Sequence, residues 1–124
     1  MSIAALNYIE DIMKSIGIPY QFGEWTDEVP DRYYVGEYQE IPSPTKEEDG
    51  GQETSFILNG WTRKSCMILE QDKETIERFL PKSRMNQDGS CVAVFYDSAF
   101  PVPTGDGELK RIQINLSIKE WKVI

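Results

Sequence analysis

Because the sequence has no histidine, acids and two cysteines are the side chains best suited to bind a metal ion. The densest acidic group is Glu47-Glu48-Asp49, whose carboxylate oxygens are of the kind that bind divalent cations. These acids lie in a stretch rich in glycine and proline and lack the regular spacing of a calcium-binding loop. We therefore interpret them as a solvated loop and predict no metal site.

The two cysteines, Cys66 and Cys91, lie in different segments and form no C-x-x-C pair. We interpret both as small buried apolar residues in a reducing compartment. Without histidine the chain also lacks the commonest general base near neutral pH. Since no nucleophile motif or phosphate-binding loop is visible either, we expect a protein that is not an enzyme and has no cofactor.

The net charge of −8 comes from one segment of the chain. Between residues 24 and 53 there are ten acids and two bases, whereas the remaining acids and bases balance. Nucleic-acid binders concentrate lysine and arginine, so we expect no direct contact with nucleic acid. The segment is either a solvated face with a solubilising loop or a surface that repels nucleic acid or meets a basic partner.

Two amphipathic helices are indicated by apolar residues spaced three and four apart. The first begins after Ser2, a suitable N-cap, and ends at Gly17, which suits the left-handed position after a helix. The second covers at least Glu70 to Leu80, and its start is open because residues 66–69 could also finish a strand.

Strands are indicated by alternating or continuous apolar residues at Ile18–Phe22, Arg32–Ile41, Glu53–Trp61, Cys91–Tyr96 and Arg111–Lys119. The run Cys91–Tyr96 is almost entirely apolar, which is typical of a central strand covered on both faces. The change of phase at Trp121 predicts a bulge or bend near Glu120. Residues 42–52 and 97–107 are predicted to be long loops, the first of them mobile and acidic.

This order of elements predicts one α+β domain over residues 1–124. The simplest arrangement is an antiparallel or mixed sheet of four to five strands with both helices packed on one face. The chain has no run of eighteen apolar residues and no charged-then-apolar leader, so we expect a cytosolic protein that does not contact a membrane.

A single sheet with helices on one face has little room to bury all of its aromatic residues. They either fill the core or form a contact with another subunit, where tyrosine and tryptophan are enriched. We therefore expect a homo-oligomer and select as candidate contact residues Tyr33, Tyr34, Tyr38, Trp61, Phe100, Val102 and Trp121.

Several stretches resemble a family of small prophage proteins that serve as tail or tail-completion components. They are Tyr33–Tyr38, Phe56–Arg63, Val92–Tyr96, Val102–Asp106, Leu109–Leu116 and Lys119–Lys122, which together cover most of the chain. The predicted order of elements is also similar to the tail-terminator and tail-to-head joining fold of long-tailed bacteriophages. In that fold helices pack on one side of a sheet and the subunits form a hexameric ring.

The resemblance implies a structural role in assembly. A ring on the last turn of a tail tube would stop tube growth and present a surface to the head connector, so the implied partners are the tube protein, connector proteins and further copies of this chain. The implied location is the host cytoplasm during assembly and then the virion tail. Another minor tail or head-closure protein, and a monomeric prophage-encoded binding or regulatory module, remain as alternatives.

The acidic segment leads to a hypothesis about DNA passage. Carboxylates lining a channel would keep DNA from adhering, because like charges repel. Replacing Glu47, Glu48 and Asp49 together with serine should leave folding intact and lower infectivity and DNA ejection. Unchanged infectivity and ejection in a phage that carries this triple variant would remove the support for a lumen role.

Overall fold

The computed structural model describes residues 1–40 and 51–121. The described elements are, in chain order, α1 (Ile3–Ser15), β1 (Tyr20–Phe22), β2 (Arg32–Glu40), β3 (Gly51–Thr62), α2 (Cys66–Phe79), β4 (Lys82–Met85), β5 (Cys91–Val102) and β6 (Lys110–Trp121). The strands form one mixed sheet in the order β1-β2-β3-β6-β5-β4. Only the β1–β2 pair is parallel.

The boundaries of α1 follow the predicted signals. The side chain of Ser2 accepts a hydrogen bond from the backbone N–H of Ala5 over 3.1 Å, as an N-cap does. Gly17 follows the helix at φ 73°, where a residue with a Cβ would be strained. Ile3 continues the apolar spacing of α1 in the sequence, but it is 77% exposed because the helix begins at this residue, at the margin of the sheet.

The sheet has two unlike faces because side chains alternate along each strand. In β6 the buried positions are Ile112, Ile114, Leu116, Ile118 and Glu120. The four apolar residues among them, with their neighbours in β2, β3 and β5, form one core with the buried stripes of α1 and α2. Both helices therefore lie on the same side, which we call the helix face, and the opposite side is the outer face.

At the centre of the helix face an aromatic ring lies across a glycine. Tyr34 and Gly60 are direct partners in β2 and β3, and Tyr34 is completely buried. A Cβ placed on Gly60 would come within 2.3 Å of the Tyr34 ring, so only glycine fits under it. The ring thereby fills the space that a side chain at position 60 would occupy.

A buried polar cluster connects this centre to α2. Asp72 accepts hydrogen bonds from Arg32 Nε over 2.8 Å and from Tyr34 Oη over 3.1 Å. Burial raises the pKa of the Asp72 carboxyl, although both hydrogen bonds act in the opposite direction. Burial also raises the pKa of the Tyr34 hydroxyl, which therefore stays protonated as the donor.

The α+β class is confirmed, whereas residues 1–40 and 51–121 form six strands instead of the expected four to five. One strand was not predicted, and one predicted loop was wrong in part. The polar stretch Lys82–Met85 forms β4, an edge strand whose side chains need not alternate in polarity. The predicted loop at 97–107 is strand as far as Val102, because a bulge between Tyr96 and Ser98 lets β5 continue after the apolar run.

Two predictions about strand positions were also wrong. β6 pairs without interruption through Trp121, so there is no bulge near Glu120. Glu120 continues the buried phase as a polar residue, because its carboxylate accepts hydrogen bonds from the backbone and hydroxyl of Ser2. β5 is the second strand from an edge, and Phe95 on its outer face is 36% exposed, so it is not a central strand covered on both faces.

Gly60→Ala should destabilise the fold, since an added methyl group must displace the Tyr34 ring. Overpacking of this kind costs about 1–3 kcal/mol in the free energy of unfolding, measurable by urea denaturation. Gly107→Ala is the matched control, because no atom lies within 4 Å of its added Cβ and φ there is not positive. Equal stability of the Gly60→Ala and Gly107→Ala variants would contradict the packing of Tyr34 over Gly60.

Candidate interaction surface

The outer face of the sheet is a surface that the hydrophobic core does not use. It presents the alternate residues of β2, β3, β6 and β5, and none of the described helices packs on it. Five of the seven predicted contact residues lie on this face: Tyr33, Trp61, Phe100, Val102 and Trp121. The strand register thus brings residues from distant parts of the sequence onto one surface.

One end of the outer face carries a ladder of stacked rings. Tyr33 and Trp61 are direct cross-strand partners with ring centroids 5.4 Å apart, and Trp25 packs on the other side of Tyr33 at 5.3 Å. The Arg111 guanidinium lies 5.4 Å from the Trp61 ring centroid, which is a cation–π geometry. The members of this ladder shield one another and are half-buried.

The middle of the outer face is polar and laterally hydrogen-bonded. Arg111 Nη2 donates to Asn59 Oδ1 over 2.7 Å, and Asn59 Nδ2 donates to Glu37 Oε1 over 3.2 Å. This chain of contacts crosses three strands. A second chain runs from Gln113 through Asn115 to Ser98. The side chains of this region are consequently held in fixed positions before any partner binds.

Exposed apolar side chains on the outer face concentrate toward β5 and β4. Phe100 is 45% exposed and Phe95 is 36% exposed. Met85 on β4 is 72% exposed and pairs with Cys91, which in turn pairs with Trp121. Large exposed apolar groups near polar ones are typical of protein–protein contacts.

Two of the predicted contact residues are not on the outer face. The prediction of Tyr34 as a contact residue was wrong. Its side chain is on the opposite side of β2 from that of Tyr33 and is buried under α2. Tyr38 is on the helix-face side, where it stacks on Phe22 at 6.0 Å and is 40% exposed. Glu47, Glu48 and Asp49 lie outside the described residues, as does the rest of the predicted loop up to residue 50. The end of that predicted loop was wrong, because Gly51 and Gln52 pair with β6 as the first residues of β3.

Sequence reasoning missed the polar members of this surface. No motif in the sequence connects Arg111, Asn59 and Glu37. The register of β2, β3 and β6 brings these three side chains together. The strict alternation of apolar and polar residues in β6 could have indicated one of them, since it places Arg111 on the solvent-exposed face.

Other candidate sites have less support. Cys66 is exposed at the first residue of α2, before the apolar stripe reaches the sheet, so its predicted burial was wrong; Cys91 is half-buried. Within residues 1–40 and 51–121, no group of three or more cysteines or acids could hold a metal ion. A cavity of about 450 Å³ lies between the start of α2 and the β5–β6 hairpin, lined mainly by apolar residues such as Leu69, Pro101 and Leu109.

No described helix is both long and apolar enough to cross a membrane. Comparison of the chain with protein-family models finds no match, and comparison with curated proteins finds none that is statistically significant.

Proposed function

We propose that the chain is a structural subunit of a long-tailed phage, a tail terminator or completion protein that caps the tail tube and helps to join it to the head connector. The observation that carries this proposal is the outer face, on which none of the described helices packs, with an aromatic ladder at one end, a fixed polar centre and exposed phenylalanines. A protein that acts by docking needs such a surface and needs no catalytic group.

The composition of this surface suits a contact between proteins. Its aromatic and arginine side chains are the types enriched at interfaces, and those in the ladder are pre-positioned by stacking. Pre-positioned side chains lose little conformational entropy on binding. In the proposed role this face, together with the loops at the strand ends, contacts the tail tube or the connector, and the helices remain in the core.

The acidic character of the chain fits the same proposal. Tail proteins surround a channel through which DNA passes, and a subunit with a net charge of −8 repels DNA instead of holding it. The exposed acids of the β1–β2 connection, Glu24, Asp27 and Glu28, belong to the segment that carries this charge. The proposal places the protein in the host cytoplasm during assembly and in the virion tail afterwards.

A second candidate is a monomeric prophage-encoded binding or regulatory module. It is favoured by the lateral stacking of Trp25, Tyr33 and Trp61, because rings that shield one another can be stable on a surface without a partner. Such a module would not recognise the end of a tail tube.

The test is to add the purified protein to tail tubes of the encoding prophage and to count capped ends by negative-stain electron microscopy. Ser55→Arg places a long charged side chain in the middle of the outer face, at an exposed position that takes no part in the core. We expect wild-type protein to cap the tubes and this variant to bind at least tenfold more weakly, because an unpaired charge at a contact costs about 2 kcal/mol or more.

Ser15→Arg is the matched control, since it makes the same substitution at an exposed position on α1. It should cap the tubes as wild type does. Open tube ends with wild-type protein would overturn the proposed function, and normal capping by Ser55→Arg would exclude the outer face as the docking surface.

A further inference from the structure

At each edge of the sheet the outermost strand is shorter than the strand beside it. β1 pairs with β2 only at Tyr34–Gly36, so residues 37–39 of β2 have no neighbouring strand on that side among the described residues. β4 pairs with β5 only at Cys91–Val94, so Phe95–Val102 has none on its outer side within the described chain. Unpaired backbone groups on a strand edge are a template for pairing with another strand.

β1 at one edge of the sheet lies at the same level along the strands as the segment of β5 that has no outer neighbour at the other edge. Tyr20 in β1 pairs with Tyr34, and the cross-strand row of Tyr34 continues through Gly60 and Ile112 to Pro101 in β5. In the same way, the row that contains Gln21 ends at Phe100. A second copy placed beside the first in the same orientation would therefore bring its open β5 segment next to β1.

Strand direction also favours this contact. β1 is parallel to β2, whereas the three antiparallel pairings from β2 through β3 and β6 make β5 run opposite to β2. A β1–β5 pair between two copies in the same orientation is then antiparallel, the more frequent and slightly more stable kind of strand pairing.

Exposed apolar side chains are concentrated at these two edges. On the β1 side, Ile3, Phe22 and Tyr38 are 77%, 45% and 40% exposed, and a hollow of about 370 Å³ is lined by Ile3 and Phe22 together with Leu6 and Tyr20. On the β5 side, Phe95 and Phe100 are 36% and 45% exposed. The β1-side groups lie on the helix face, whereas Phe95 and Phe100 lie on the outer face. In a pair of copies with the same orientation, each set would therefore pack on the neighbouring strand of the other copy, and this burial favours association.

We propose that these edges bind each other between copies of the chain, with β1 of one subunit pairing head to tail with the open segment of β5 of the next. Head-to-tail contacts generate a ring when the rotation between subunits closes. Pro101 lacks an N–H, and the bulge at Asp97 interrupts the edge, so the pairing is limited to a short segment and does not extend as in aggregation.

This inference deepens the proposed function, because it names the contact that would close a ring of subunits. Its test uses disulfide crosslinking between purified subunits in a background where Cys66 and Cys91 are replaced by serine. One variant adds Gln21→Cys and the other adds Phe100→Cys, at positions that are cross-strand neighbours in the proposed contact. Directly opposed residues have Cβ atoms close enough for a disulfide after a small adjustment.

Under mild oxidation, an equimolar mixture of the two variants should form at least tenfold more crosslinked dimer on non-reducing gels than either variant alone. A protein that carries both substitutions should form a ladder of higher species. Equal crosslinking by a single variant alone, or no crosslinking in the mixture, would overturn the proposal. Since no tail tube is present, failure of this contact is distinguishable from failure to cap tube ends.

Discussion

Side chains alternate across a β-sheet, and in this protein both helices cover the same face. The stripes of α1 and α2 pack on the buried residues of β3, β6 and their neighbours, and the polar cluster of Asp72, Arg32 and Tyr34 fixes α2 to this face. The outer face must then be stabilised without helices. Stacked rings and lateral hydrogen bonds do this, and they leave a surface that is both ordered and accessible.

The same constraint separates two kinds of contact. Docking onto a different protein would use the broad outer face, where aromatic and polar groups are already in position. Association between copies would use the strand edges, where backbone groups and apolar side chains remain open. A subunit of an assembly needs both kinds of surface at once. In this fold the two surfaces share Phe95 and Phe100, which lie on the outer face and also border the open edge of β5.

The α+β class, both helices and the alternation of β6 could be predicted because each follows from a local periodicity. The edge strand β4 and the end of β5 could not, since Lys82–Met85 has no apolar pattern and a bulge changes the phase after Tyr96. Whether a predicted contact residue lies on the outer face depends on which side of its strand the side chain occupies. Tyr33 and Tyr34 are chemically alike, yet one is on the outer face and the other is buried, and their order in the chain does not say which.

The central claim is that copies of this chain associate through surfaces that the fold leaves open. Size-exclusion chromatography with light scattering, from micromolar to near-millimolar protein at low and moderate salt, tests it most directly. The account predicts a discrete species whose mass is a small multiple of 14.3 kDa, with six copies for the hexameric ring. A species that stays at the mass of one chain over the whole concentration range would contradict it.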